Sequence, residues 1–288
     1  MTRKLKMSAG VLNIRLHPHS PELYASYFSD IFRYRVVGYV HGDRRGMLSL
    51  IDRTQEKSGK ISGVLTTFVN VDLDGTWFNS ESLEPATEDQ VSKVNIPNNL
   101  KPNSASYYFD FDIKTHRLYV QTYSHGKALT PHTIQRLFNS LARDHRISKR
   151  YGEAKITLLQ DKESLKSLFS IPRITEIVIT IMRPNPDIFA DDFEATVEGH
   201  LEAINGRSVQ IKYQAEPGGS LVPNKEIREV SEVGADNGLV EVTGRDDTGA
   251  VKKSTASYPV VLQTRYDPDA GERNAFLSLV RNPAHKAG

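Results

Sequence analysis

Near the start of the chain Leu12, Ile14 and Leu16 alternate with Asn13 and Arg15. A period of two is the signature of a strand with one buried face. The pattern then changes. Ser20 offers a capping hydroxyl and Pro21 stands at a first helical position, and Leu23, Tyr24, Tyr27, Phe28 and Ile31 recur at helical spacing. Three further strands are expected in RYRVVGYV, MLSLID and ISGVLTTFVNVD, with Gly42 and Gly46 at the first turn and Ser58-Gly59 at the second. From Ser80 to Ser106 the chain becomes polar and rich in Pro and Asn. Long excursions of this kind are frequently functional. A hairpin follows, with Phe109, Phe111 and Ile113 on one face and Asp110 and Asp112 on the other.

The segment Thr130–Gly152 predicts one amphipathic helix. Ile134, Leu137, Phe138 and Leu141 fall at the i, i+3, i+4, i+7 spacing of a buried stripe. A second face carries His132, Arg136, Asn139, Arg143, Arg146 and Arg150 at steps of three or four. A strand (AKITLLQ), a short helix capped by Asp161 and a strand (ITEIVITIM) complete the front region. Pro184 and Pro186 then interrupt regular structure between Met182 and Phe189. Beyond them the pattern predicts a helix with Phe193, Val197, His200, Leu201 and Ile204 inward and Gly206 as its cap. A strand (SVQIKYQ), a short helix, a hairpin turning at Gly249 and a last strand end the chain. The expected fold class is α+β: an antiparallel meander with packed helices over residues 1–182, then a smaller α+β region over 183–288.

Composition narrows the chemistry. The 288 residues suffice for two cores. There is no cysteine, which excludes disulfides, thiolate metal sites and cysteine nucleophiles. No apolar run approaches the roughly 18 residues of a membrane span, so no membrane contact is expected and the cytoplasm is the expected location. The net charge of +2 hides a split: residues 183–288 hold 12 Lys and Arg against 17 Asp and Glu, while 1–182 hold 25 against 18. Such asymmetry suggests that the front region faces a polyanion, or that basic and acidic regions pair with each other.

Arginine suits phosphate, because its planar fork binds two oxygens at once. The line Arg136, Arg143, Arg146, Arg150, with Lys149, is therefore the candidate site, and DNA or RNA the candidate partner. Tyr107, Tyr108, Tyr119, Tyr123 and Tyr151 lie close by in the chain and are candidates for stacking on bases. A nuclease reading rests on Glu153-Ala154-Lys155 and Asp112-Ile113-Lys114, which have the acid-x-Lys form of metal-dependent nucleases, with Asp110, Asp112 or Asp144 as an upstream carboxylate. A metal-free alternative would draft His116, His125, His132 and His145 with Arg143. His17 and His19, on either side of Pro18, are not assigned a shared metal site. HGDRRG and VDLDG read as turns. No motif calls for a cofactor or a metal, and no catalytic set is assigned.

SGVLTTFVNVDLDGTWFN and NGLVEVTGRDDTGAVKKSTASYPVVLQ resemble an uncharacterised family of bacterial proteins of about this length, often encoded among anti-phage defence genes. In size, and in a mixed front half followed by a smaller back half, the chain is also similar to the DNA-binding component of the Kiwa defence system. The resemblance implies a cytoplasmic protein that faces nucleic acid, and it carries no catalytic residues. The expectation is thus a nucleic-acid-binding protein of a defence system. The alternatives are a nuclease effector of the same setting, or an assembly subunit that pairs with a partner protein or with its own copies.

Overall fold

Strand β1 (Leu5–Arg15) buries Leu12 and Ile14 completely, but its alternation does not mark a solvent face. Arg15 is fully buried and Asn13 nearly so, because the chain around Phe276 covers the other side of the strand and that around Asn237 its end. The computed structural model describes residues 3–16, 20–183 and 192–282, with the backbone alone for 192–195. Helix α1 (Pro21–Arg33) starts where expected, the Leu23 N–H donating to Ser20 Oγ at 3.3 Å. A meander follows: β2 (Gly38–His41), β3 (Arg44–Asp52) and β4 (Lys60–Val69). The polar excursion holds only a small ribbon, β5 (Phe78–Asn79) with β6 (Glu84–Pro85), and a single turn, α2 (Glu88–Val91). Next come the hairpin β7 (Ala105–Asp112) and β8 (Arg117–Gln121), and the ribbon β9 (Tyr123–Ser124) and β10 (Lys127–Ala128). Helices α3 (Pro131–Ala142) and α4 (His145–Tyr151) lead to β11 (Lys155–Leu158), α5 (Ser164–Leu168) and β12 (Arg173–Met182). The remainder is α6 (Asp192–Ala203), β13 (Ser208–Gln214), α7 (Lys225–Asn237), β14 (Gly238–Asp246), β15 (Gly249–Ser254), β16 (Val261–Tyr266) and α8 (Glu272–Arg281).

The protein is α+β, built on two antiparallel sheets. In the larger sheet the order is β11-β1-β8-β7-β4-β3-β2, and β16 pairs with the first half of β1. One face is covered by α1 and α3, whose Phe28 and Phe138 join Phe109 and Phe111 in a fully buried core. The Phe28 and Phe111 rings lie 4.7 Å apart. On the opposite face α8 packs Phe276 and Leu279 against Met7, Val11 and Tyr119. The smaller sheet, β13-β12-β14-β15, buries Ile177, Ile179 and Ile181 against Val230 and Val233 of α7 and Leu201 of α6. Among the described residues no helix is long and apolar enough to cross a membrane.

The sheets divide the chain differently from the expected 1–182 and 183–288. Strand β12 precedes that boundary, yet it is a central strand of the smaller sheet, paired with β13 and β14. After it, β16 and α8 return to the larger sheet. Most of the proline-rich junction, 184–191, lies outside the described residues, as do His17 and His19. Of the expected inner stripe of α6, Val197 and Leu201 are buried, His200 and Ile204 are exposed, and the Phe193 side chain lies outside the described residues.

One packing detail sets the position of the candidate site. Gly46 is not in the turn, as its spacing from Gly42 suggested, but within β3, paired with Gly38. Together they make room for Leu137. A Cβ at Gly38 would lie 2.7 Å from Leu137 Cδ1, and one at Gly46 2.9 Å from Cδ2. Helix α3 thereby settles onto β2, the edge of the sheet. The Tyr39 N–H donates to Ser140 Oγ at 2.9 Å and Arg136 Nη1 donates to the Val40 carbonyl at 3.2 Å. An edge whose peptide groups are occupied by a neighbouring helix is closed to strand pairing there.

Candidate nucleic-acid interface

The helix expected over Thr130–Gly152 is two helices. α3 ends at Ala142 with Arg143 as its C-cap, and Asp144 caps α4, its Oδ1 accepting the Arg146 N–H at 2.9 Å. The reason is a slip in the apolar phase: Leu141 and Ile147 are six apart, where a continuous stripe needs seven. A single helix would bury only one of them; breaking at an aspartate, a favoured cap, buries both. The periodicity holds within α3. Leu137 and Phe138 are fully buried, and Arg136 and Arg143 are exposed.

Three of the five expected phosphate contacts are engaged within the fold. Arg146 turns back on Asp144 with both Nε and Nη2, at 3.0 and 2.9 Å, and its Nη1 donates to the Tyr34 carbonyl at 3.2 Å. The bond to Arg146 holds the Asp144 carboxyl below its usual range and raises the arginine in turn. Arg150 donates to Asp30 Oδ2 at 2.6 Å, and the Tyr151 hydroxyl donates to the same oxygen at 2.8 Å. Burial, and then that contact with Asp30, pushes the Tyr151 phenol well above its ordinary value. Arg146 and Arg150 therefore fasten α4 to the end of α1, while Arg136 fastens α3 to β2. Arg143 and Lys149 are exposed and make no side-chain hydrogen bond or close ion pair among the described residues, though the charge of Arg143, behind the bond from Lys155, helps hold the Glu153 carboxyl below its usual range.

The same geometry adds residues that periodicity did not single out. Asp30 to Gly46 and Pro131 to Tyr151 lie side by side, and these two segments hold nine Lys and Arg against three Asp. The Arg33 and Arg146 guanidiniums both lie over the Tyr34 ring, 4.7 and 5.4 Å from its centre, and Arg45 lies 5.1 Å over that of Tyr39. Arg35 is exposed and likewise has no side-chain partner among the described residues. The tyrosines proposed for stacking are elsewhere engaged. Tyr107, Tyr119 and Tyr151 are buried, and Tyr108 packs on Phe276; only Tyr123 is open.

Arg35 is held at φ +50°, in the left-handed region. It closes α1 in the manner usually given to glycine: the Arg35 N–H donates to the Phe32 carbonyl at 2.9 Å and the Val36 N–H to the Ile31 carbonyl at 3.1 Å. A side chain there costs about 1 kcal/mol. Arg35→Gly is accordingly expected to stabilise the fold by about that amount in urea titrations while weakening any phosphate contact made by the guanidinium. A variant no more stable than the parent would show the position to be unstrained. RYRV has the alternation of a strand, and nothing in it marks a helix end.

The carboxylates of the nuclease reading have other partners. Asp110, fully buried, is bound by Arg281 of α8 at 2.6 Å; Asp112 is paired with Lys60; Glu153 pairs with Lys155 of its own tripeptide at 2.5 Å. His116 is stacked on Tyr24 beneath the surface and His125 lies 3.5 Å from Glu272, while His132 and His145 are exposed on α3 and α4. Among the described residues no three His, Asp or Glu side chains gather into a group suited to a metal.

No curated protein matches the chain. A family model described as a domain of unknown function, DUF4747, matches residues 5–281, both sheets included. By that match over nearly its whole length, the chain belongs to the DUF4747 family.

Proposed function

We propose that this protein binds the backbone of DNA or RNA through the edge formed by α3, α4, the end of α1 and the β2–β3 hairpin. Arg35, Arg143 and Lys149 carry the contact, Arg136, Arg146 and Arg150 hold the surface in shape, and the setting is a bacterial cytoplasmic anti-phage system. The observation that carries this reading is the excess of nine cations over three carboxylates in two segments about a hundred residues apart that lie side by side: Arg33, Arg146 and Arg150 are paired with Asp30 and Asp144, while Arg35, Arg143 and Lys149 make no side-chain hydrogen bond or close ion pair among the described residues. Isolated surface cations are ordinarily scattered; cations crowded together repel, and a phosphate chain relieves that repulsion while releasing counterions. The defence setting is supported by the resemblance of SGVLTTFVNVDLDGTWFN and its companion stretch. A gel shift with a cleavage readout at two salt concentrations tests the proposal. The expected result is a shifted, intact nucleic acid whose binding weakens steeply with salt. Cleavage would favour an effector nuclease, and a salt-sensitive oligomer that shifts nothing would favour an assembly subunit.

A further inference from the structure

Beside the basic edge lies a cleft of about 510 Å3 between the end of α1 and β3, lined by Phe32, Arg33, Arg35, Met47, Leu48 and Ser49. Its size falls within the roughly 300–1,000 Å3 of small-ligand clefts. Three features of its wall differ in chemistry. Phe32 is an exposed aromatic, open over 40% of its surface, in a position where an ordinary helix end would place a polar residue. Strand β2 pairs only with Arg44, Arg45 and Gly46 of β3, so from Met47 onward that side of β3 has no strand beside it among the described residues. Its peptide groups there offer donors and acceptors next to the aromatic wall. Arg33 and Arg35 stand at the rim; Arg33 is paired with Asp30 at 2.8 Å and lies over the Tyr34 ring that Arg146 shares, so Arg35 is the cation left for a phosphate.

We propose that this cleft takes an unpaired base, which makes single-stranded nucleic acid the ligand class of this edge; the inference rests on the backbone-binding reading above. An aromatic wall, hydrogen-bonding peptide groups and adjacent cations match, in turn, the face of a base, its edge and its phosphate. A duplex keeps its bases stacked and paired, so it would engage only the cations. A purely electrostatic edge also favours the duplex, whose charge density is higher. A preference for single strands therefore reports the cleft and not the charge.

The experiment uses the full chain and three probes of equal length: a single strand with 2-aminopurine at its centre, the same strand with abasic residues, and the duplex. The single strand should bind about tenfold more tightly than the abasic strand, in line with the stacking of one base, and its fluorescence should rise on binding as the probe base leaves the stack of its neighbours. Phe32→Ala should remove that advantage and the rise in fluorescence while leaving duplex and abasic binding unchanged, and Phe32→Tyr should restore the affinity advantage. If intact and abasic strands bind alike, or Phe32→Ala keeps the advantage, the cleft inference is overturned while backbone binding stands. If none of the three probes binds at low salt, the backbone-binding reading itself fails.

Discussion

Arg143→Glu combined with Lys149→Glu is expected to lower the affinity for nucleic acid by one to two powers of ten near 0.1 M salt, on every sequence alike. Each phosphate contact on duplex DNA contributes a slope of about −0.9 to log K against log salt, so losing two flattens the slope by about two units. The two side chains are chosen because neither makes a hydrogen bond or a close ion pair among the described residues; Arg143 feels only the more distant charge of Glu153. Stability should change by less than about 1 kcal/mol, as for exposed charges generally. Arg146 is a poorer choice despite its place in the same line. Its reversal would break its bonds to Asp144 and the Tyr34 carbonyl and set two carboxylates side by side, mixing a folding defect into the binding result. A salt slope that the double variant leaves untouched would show the edge to be only a solvated surface.

Arg281→Met is expected to destabilise the protein by about 3–5 kcal/mol, the usual cost of stranding a buried charge. Asp110 has no exposed surface, and Arg281 grips it from α8 through Nη2 at 2.6 Å and Nε at 3.3 Å. Methionine keeps much of the arginine stem and its packing, so the loss isolates the charge. Combining it with Asp110→Asn should recover most of the stability, because an amide is far cheaper to bury than an unpaired carboxylate. Chemical denaturation of the four proteins of this cycle checks the claim. A single-variant loss below about 1 kcal/mol, outside the range for a broken buried pair, would mean that water or another cation reaches Asp110.

Local chemistry on its own determined most of the elements. Alternation placed β1, β4 and β7, Ser20-Pro21 placed the start of α1, and the stripe Ile134, Leu137, Phe138, Leu141 placed the buried face of α3, because the period of burial is fixed by the geometry of the strand or helix itself. The break at Asp144 was legible too, in the six-residue step from Leu141 to Ile147, but the regular recurrence of arginine masked it. The charge split and the absence of cysteine likewise belong to the sequence. Only the tertiary structure decided which sheet received each strand. The alternation of β12 and β16 is the same whichever partner pairs with them, and the choice was made by long-range burial: β12 by the core of α6 and α7, β16 by α8. The same holds for the site. Arg35, Tyr34 and Arg45 join the edge because Leu137 seats α3 over Gly38 and Gly46, and Asp110 and Asp112 leave the nuclease reading because Arg281 and Lys60 reach them across 171 and 52 residues of chain. A charged side chain carries no local mark of whether it will be spent on another charge or left for solvent, since that depends on what the fold brings within a few ångströms of it.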